Sequence, residues 1–358
     1  MNTKATISLS LGLALSVFAL YLAFRNVPFR ELVDYLVSID YIWVPPAVVL
    51  VVVSFALRAL RWQVILGKAR RIGFPGAFHP LMIGFMLNCI LPGRVGELAR
   101  PVILNQRDAV PVVAGLATVA AERLFDVLLL ILLFAGVLAF VPIAPDLEMT
   151  FGQYRLDSAT LTAVMKGLMQ LMVVLLIGVF LVSIDATRRL IIRAIRATPQ
   201  WLVFLPVRTR QWVAQRPAAL LMGIVESVAD GLEVIKNPKA VAVCLGLSAL
   251  IWGLQVVSFW VVSLGCPGIS LTLPEALAVM VIICFFIALP SAPGFWGLWE
   301  AGGVFALALF GVAAREAAGF TLANHAIQMF PVILLGLMSA FATGINIWQV
   351  SGKVKIES

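Results

Sequence analysis

Three charged side chains, Arg94, Glu97 and Arg100, follow directly on a Pro92-Gly93 break in the stretch Leu91–Pro101. Residues three apart are neighbours on a helix surface, so a helix resuming after the break would carry all three on one stripe. The break interrupts an apolar run, Phe78–Leu91. The second half of the chain repeats the order of parts. An apolar run, Leu277–Leu289, meets Pro290-Ser-Ala-Pro293-Gly294, and a helix-capable segment with Gly297 and Glu300 follows. A helix that starts inside an apolar region presents free N–H groups and a positive dipole end, which suit an anion. Arginine adds bidentate recognition of phosphate. Two Pro/Gly-interrupted apolar segments in matching halves point to a transporter's midplane site.

Further charges sit where charge is costly. Arg58, Arg61, Glu122, Arg123, Asp126 and Lys166 join Arg94, Glu97, Arg100 and Glu300 within or against apolar runs, six cations and four anions in all. A charge at a bilayer centre costs about 2.5–3.5 kcal/mol, and half a dozen cost on the order of 15 kcal/mol. Such groups persist when they pair internally or line a hydrated cavity. Internal pairing, for example of Arg94 or Arg100 with Glu97, or of Arg123 with a carboxylate elsewhere, accounts for part of the cluster. The surplus positive charge suits an anionic headgroup. Gly294, Gly297, Gly302 and Gly303 leave room for close backbone approach, either to a headgroup or to another helix. His325 stands beside Gln328 in the last apolar run and reads first as a satisfied packing residue; Arg58 and Lys166 read as candidates for snorkelling.

The elements that must position these groups are long and apolar. Of 358 residues, 62% are hydrophobic and only 12% charged, half the charged share of a soluble domain. The expected fold is an all-α polytopic membrane protein, with about six full spans and two oppositely oriented re-entrant helical hairpins. Continuous apolar runs exclude a β-barrel. The net charge of +8 does not indicate nucleic acid, because the basic residues fall between apolar runs, as the positive-inside rule expects. The four cysteines have neither disulfide nor zinc spacing. No nucleotide loop, metal-ligand pattern or nucleophile–base pair is present, so no cofactor and no metal is expected.

In order, spans are expected at Ala5–Phe24 (an uncleaved first span rather than a signal peptide), Trp43–Leu66, Val110–Val141, Leu161–Ile184, Ala240–Leu264 and Phe320–Trp348. Val27–Tyr41 reads as a short amphipathic helix with Phe29, Leu32, Val33 and Leu36 on one side. Phe78–Leu91 would be about 21 Å long, short of a core of about 30 Å. With Arg94–Leu104 it forms the first hairpin; Pro274–Val312 forms the second. The polar segment Pro142–Thr160 is expected outside. Residues 185–239, rich in arginine, read as a cytoplasmic amphipathic connector between the halves of a single membrane domain, 1–358. Both termini are then cytoplasmic and the two hairpins enter from opposite faces.

Arg58-Ala-Leu-Arg61-Trp62, Leu91-Pro-Gly-Arg-Val-Gly-Glu97 with Arg100, Ala121-Glu-Arg-Leu-Phe-Asp126, and Pro290-Ser-Ala-Pro-Gly294 through Gly297 and Glu300 together resemble the membrane-embedded flippase region of the lysylphosphatidylglycerol synthase (multiple peptide resistance factor) family. The resemblance implies a lipid flippase of the inner membrane built on two re-entrant units. No aminoacyl-transfer domain follows in the sequence, so a translocator rather than a synthase is expected, working with a separate lipid-modifying enzyme. Candidate cargo includes a phospholipid, a polyprenyl-phosphate-linked sugar or a hopanoid lipid. The headgroup-binding candidates are Arg58, Arg61, Arg94, Glu97, Arg100, Glu122, Arg123, Asp126, Gly294, Glu300 and His325. Pro92, Gly93, Pro290, Pro293 and Gly297 form the breaks. The rival readings are a membrane-embedded polyprenyl-phosphate glycosyltransferase and a non-transporting accessory subunit of a lipid-pathway complex.

Overall fold

A computed structural model describes residues 3–67, 72–91, 94–140, 149–151, 154–156, 185–201, 237–289 and 292–346, with isolated helical residues between 166 and 181 and at 221–222. Among the described residues the regular structure is helical apart from one short antiparallel hairpin, β1 (Met149–Phe151) with β2 (Tyr154–Leu156). The helices are α1 (Thr3–Phe24), α2 (Phe29–Ser38), α3 (Val44–Leu66), α4 (Phe74–Ile90), α5 (Val95–Asp108), α6 (Val112–Phe140), α7 (Asp185–Trp201), α8 (Pro238–Leu264), α9 (Leu273–Ala288), α10 (Leu298–Ala308) and α11 (Ala314–Thr343). Short 3₁₀ turns cover Tyr41–Trp43 and Pro293–Phe295.

Among the described residues, three helical stretches are long and apolar enough to cross a membrane: Tyr41–Leu66, Pro238–Leu264 and Ala314–Thr343. A fourth arises if α1 and α2, which meet at 76°, count as one broken span. At 29 residues α6 reaches about 43 Å, but Glu122, Arg123 and Asp126 interrupt its apolar character. This is a multi-pass helical membrane architecture. Most of the expected span Leu161–Ile184, and the connector beyond Trp201, lie outside the described residues.

Several boundaries move for local reasons. α4 starts at Phe74, four residues before the apolar run, because Pro75 occupies the first turn, where no N–H is needed. α9 opens with a reciprocal cap: the Thr272 hydroxyl accepts from the Glu275 N–H at 3.4 Å, and the Glu275 carboxylate accepts from the Thr272 N–H at 2.7 Å. α11 begins at Ala314, six residues before Phe320, because Ala-Arg-Glu-Ala-Ala is strongly helix-forming; it ends at Gly344, φ 65°. In α2 the buried side is Leu32, Tyr35 and, just beyond the helix, Ile39. Of the residues expected together on one side, Leu32 is buried while Phe29 and Val33 are exposed. The contact that decides this is Tyr35 against Gly319 of α11, with its hydroxyl donating to the Pro267 carbonyl at 2.9 Å.

Small residues let the backbones meet, as packing in lipid requires. α3 lies along α8, where Ala47, Ser54 and Ser258 are fully buried and the Ser258 hydroxyl donates to the Ala47 carbonyl at 3.3 Å. α4 and α5 cross at Gly84 and Gly96, whose N–H donates to Asn88 Oδ1 at 2.8 Å. Gly303 of α10 abuts Thr321 of α11, and Gly336 of α11 abuts Met86 of α4. Two units of the same order result: α4–break–α5–α6, and α9–break–α10–α11.

Candidate functional site

The described residues that flank the two breaks face each other. The Cys89 carbonyl at the end of α4 lies 3.1 Å from where a side-chain carbon on Gly294 would stand. Arg94 donates to the Ile287 carbonyl of α9 at 2.8 Å, and its guanidinium lies 5.8 Å from the Phe295 ring centre. Arg94 and Phe295 both adopt left-handed backbone, φ 55° and 63°. For a ring as bulky as phenylalanine this is a true outlier, and such strain gathers at functional sites. Pro92, Gly93 and Pro290 lie outside the described residues. The second break is longer than expected. Pro293-Gly294-Phe295 forms a 3₁₀ turn, and the helix restarts only at Leu298, behind Gly297 at φ 90°. A side chain at Gly297 would strike the Ser16 backbone of α1, whose hydroxyl accepts from the Ala292 N–H at 2.8 Å.

A cavity of about 350 Å³ opens where the breaks meet. Arg58, Arg94, Glu97, Arg123, Asp126, Gly294 and His325 line it, seven of the eleven headgroup-binding candidates. Aromatic and sulfur-bearing side chains from five helices complete the wall: Phe55, Phe85, Phe259, Trp299 and Met329.

The other four candidates lie elsewhere, and the reason is pairing. Glu122 is fully buried and accepts from Arg100 at 2.7 Å and from Arg61 at 3.3 Å. Arg61, also fully buried, donates to Asp126 at 2.7 Å and to the Ser248 hydroxyl at 2.7 Å. Arg100 stacks on Trp62, its guanidinium carbon 4.3 Å from the ring centre. This network fixes α3, α5, α6 and α8 to one another behind the cavity wall. The fourth, Glu300, is buried and holds its own helix start, accepting from the Gly297 N–H at 2.6 Å; it does not line the cavity.

The single stripe Arg94–Glu97–Arg100 therefore divides. Arg94 precedes the helix, and its left-handed backbone turns it towards α9. Arg100 turns inward to α6, and Glu97 faces Arg123 at 3.9 Å rather than either arginine of its own segment. Arg123 also meets Asp126 at 3.5 Å and Glu122 at 3.6 Å while its side chain remains 35% exposed. Arg58 has no ion pair among the described residues; its guanidinium lies 5.6 and 5.9 Å from the Phe55 and Phe85 ring centres, and its Nε is buried without a partner. Lys166 is exposed and does not line the cavity. Asn88, Gln255 and Trp299 line the cavity and were missed in the sequence, although the two amides stood out as polar residues inside apolar runs. Gln255 bridges Ser54 and Gln328, at 3.2 Å to each.

His325 is held at both ring nitrogens, Nδ1 at 2.5 Å from the Glu300 carboxylate and Nε2 at 2.8 Å from the Gly294 carbonyl. The packing-residue reading captured its satisfaction but not that it ties α11 to the second break.

No solved structure matches this chain. Among curated proteins it is similar to one named glycosyltransferase AglD, from Haloferax volcanii, at 27% identity over 366 aligned positions covering 94% of this chain. The chain spans about half the length of that relative, 54%. Together with the four motifs and the paired breaks, the match of residues 9–336 to the family model described as the lysylphosphatidylglycerol synthase TM region shows that this chain belongs to that family.

Proposed function

We propose that the protein is a lipid flippase or scramblase that passes a phosphate-bearing or otherwise anionic headgroup through the cavity between the breaks while the acyl tails stay in lipid. The observation that carries this reading is the division among the arginines. Among the described residues, Arg61 and Arg100 are committed to buried carboxylates, while Arg58, without a carboxylate ion pair, and Arg94, hydrogen-bonded to a backbone carbonyl, face open volume. An anion entering there meets two cations beside aromatic walls that exclude water, which strengthens the attraction. The two hairpins enter the inner membrane from opposite faces among about six spans, both termini are cytoplasmic, and residues 185–239 lie along the cytoplasmic surface. A separate lipid-modifying enzyme supplies or consumes the cargo.

The test is reconstitution in vesicles with a fluorescent phosphatidylglycerol and, for comparison, a fluorescent neutral diacylglycerol. Accessibility to dithionite from outside reports movement between leaflets. Wild type should move the anionic probe, and Arg58→Gln with Arg94→Gln should slow it by about tenfold or more, the value of one lost charge-assisted hydrogen bond. Equal rates in wild type and variant place the anion path elsewhere.

A second reading, membrane-embedded sugar transfer from a polyprenyl phosphate, is favoured by the name of the Haloferax relative, a glycosyltransferase. It predicts that the purified protein converts a polyprenyl-phosphate sugar to a new product, whereas a translocator leaves it chemically unchanged.

A further inference from the structure

The His325–Glu300 pair contains more than packing requires. His325 is 2% exposed and Glu300 fully buried. The imidazole lies between two indoles, 4.7 Å from Trp299 at 11° and 4.5 Å from Trp296 at 46°. Its two nitrogens face two acceptors, the Glu300 carboxylate and the Gly294 carbonyl. The other Glu300 oxygen already accepts from Gly297. A neutral imidazole has one N–H and one lone pair. With the carboxylate ionised, a neutral ring would therefore set a lone pair against an acceptor on one side or the other. One additional proton, shared between Nδ1 and Oε1, removes the conflict and leaves Nε2–H free to donate to Gly294.

We propose that His325 and Glu300 form a proton-binding site that latches the second helix break: with the proton bound the Gly294 carbonyl is held, and with the proton gone it is released. The released proton leaves into the cavity that His325 lines. Gly294 forms the wall opposite Cys89 and beside Arg94, so release alters the shape of the cavity where the two breaks meet. This inference stands on the hydrogen-bond geometry alone and holds whether or not the cavity carries lipid.

Other titratable groups face the cavity on the side of His325. Arg58 of α3, Cys89 of α4, Arg94 and Glu97 at the start of α5, Arg123 and Asp126 of α6, and Cys284 of α9 line the same cavity. Tyr35 of α2 lies against Gly319, about 9 Å from His325 along α11. Among the described residues, only Glu300 and the Gly294 carbonyl hydrogen-bond the ring.

Two substitutions separate the latch from any other titrating group. Glu300→Gln keeps the shape, still offers an oxygen to the Gly297 N–H, and supplies a permanent N–H donor to Nδ1. The neutral ring can then hold Gly294 at any pH. His325→Phe keeps the ring between the indoles but holds nothing. The readout is acrylamide quenching of Trp296, isolated as the difference between each protein and its Trp296→Phe counterpart, in nanodiscs. When the buffer is raised from about pH 5 to about pH 8, Trp296 in the wild-type protein should become about fivefold more open to the quencher, the worth of one ordinary hydrogen bond. Glu300→Gln should remain closed at both values, and His325→Phe open at both. A wild-type protein insensitive to pH, or a Glu300→Gln protein that opens like wild type, overturns the proposal. If His325→Phe does not accumulate in membranes, the pH response of Glu300→Gln alone still decides. Loss of lipid movement with the quenching pattern intact would refute the flippase reading and leave the proton site standing.

Discussion

Replacing Glu122 by glutamine is the sharpest test of how the charge cluster divides. Three arginines (61, 100 and 123) and three carboxylates (97, 122 and 126) are joined by contacts of 2.7–3.9 Å, and their formal charges cancel. Glutamine keeps the volume, so no cavity is created and the change reports charge. Arg100 would lose its carboxylate partner and face a neutral amide oxygen; the aromatic faces, Trp62 at 4.3 Å and Phe85 at 5.6 Å, are present in both forms and offset nothing. Removing one member of a buried ion pair costs about 3–5 kcal/mol. With an unfolding entropy of about 2.1 cal/mol/K per residue over this chain, that corresponds to a fall of roughly 4–7 °C in melting temperature. Arg123→Gln provides the contrast. Its side chain is 35% exposed and its contacts are 3.5–3.9 Å, so its loss should cost about 1 kcal/mol or less, roughly 1 °C. The assay is the apparent melting temperature of detergent-solubilised protein, followed by the monodisperse fraction after heating at a fixed scan rate. Adding Arg100→Met to Glu122→Gln should restore part of the loss, because the remaining charges again cancel and an apolar side chain covers Trp62. If Glu122→Gln melts within about 1 °C of wild type, or if Arg123→Gln falls as far, the buried network does not hold the helices together as argued.

Two further expectations concern packing and orientation. Gly96→Ala drives a methyl group into the Gly84 carbonyl and to 2.7 Å from Asn88 Oδ1, so it should cost about 1–3 kcal/mol or more and separate the limbs of the first broken unit, seen as lower yield and melting temperature. A cysteine placed at Asp157 should be modified by an impermeant reagent in intact cells and one at Thr209 should not; labelling at Thr209 would reverse the proposed orientation.

Much of this protein was legible in its residues. The order of helices follows from apolar run length, because in a membrane each backbone polar group must be satisfied within its own segment. The breaks were legible because proline and glycine act locally. That Arg61, Arg100, Glu122 and Asp126 needed partners was also legible, since isolated charge in such runs is too costly. Which partner each would take was not. The face of a helix fixes which residues share a side, but not which helix packs there. The crossing at Gly84 and Gly96 sets Arg100 beneath Glu122 and leaves Glu97 to Arg123. Arg94 leaves its expected stripe because its left-handed backbone takes it off the helical register. The inner face of α2 is Leu32 and Tyr35 because α11 offers Gly319 there, a choice made by a residue nearly three hundred positions away. Glu300 and His325, similarly, are twenty-five residues apart on different helices and acquire their shared proton only when α10 and α11 bring carboxylate, ring and break together. Local chemistry determined which groups required satisfaction; the close approach of backbones, set by where small residues permit it, decided how that requirement was met.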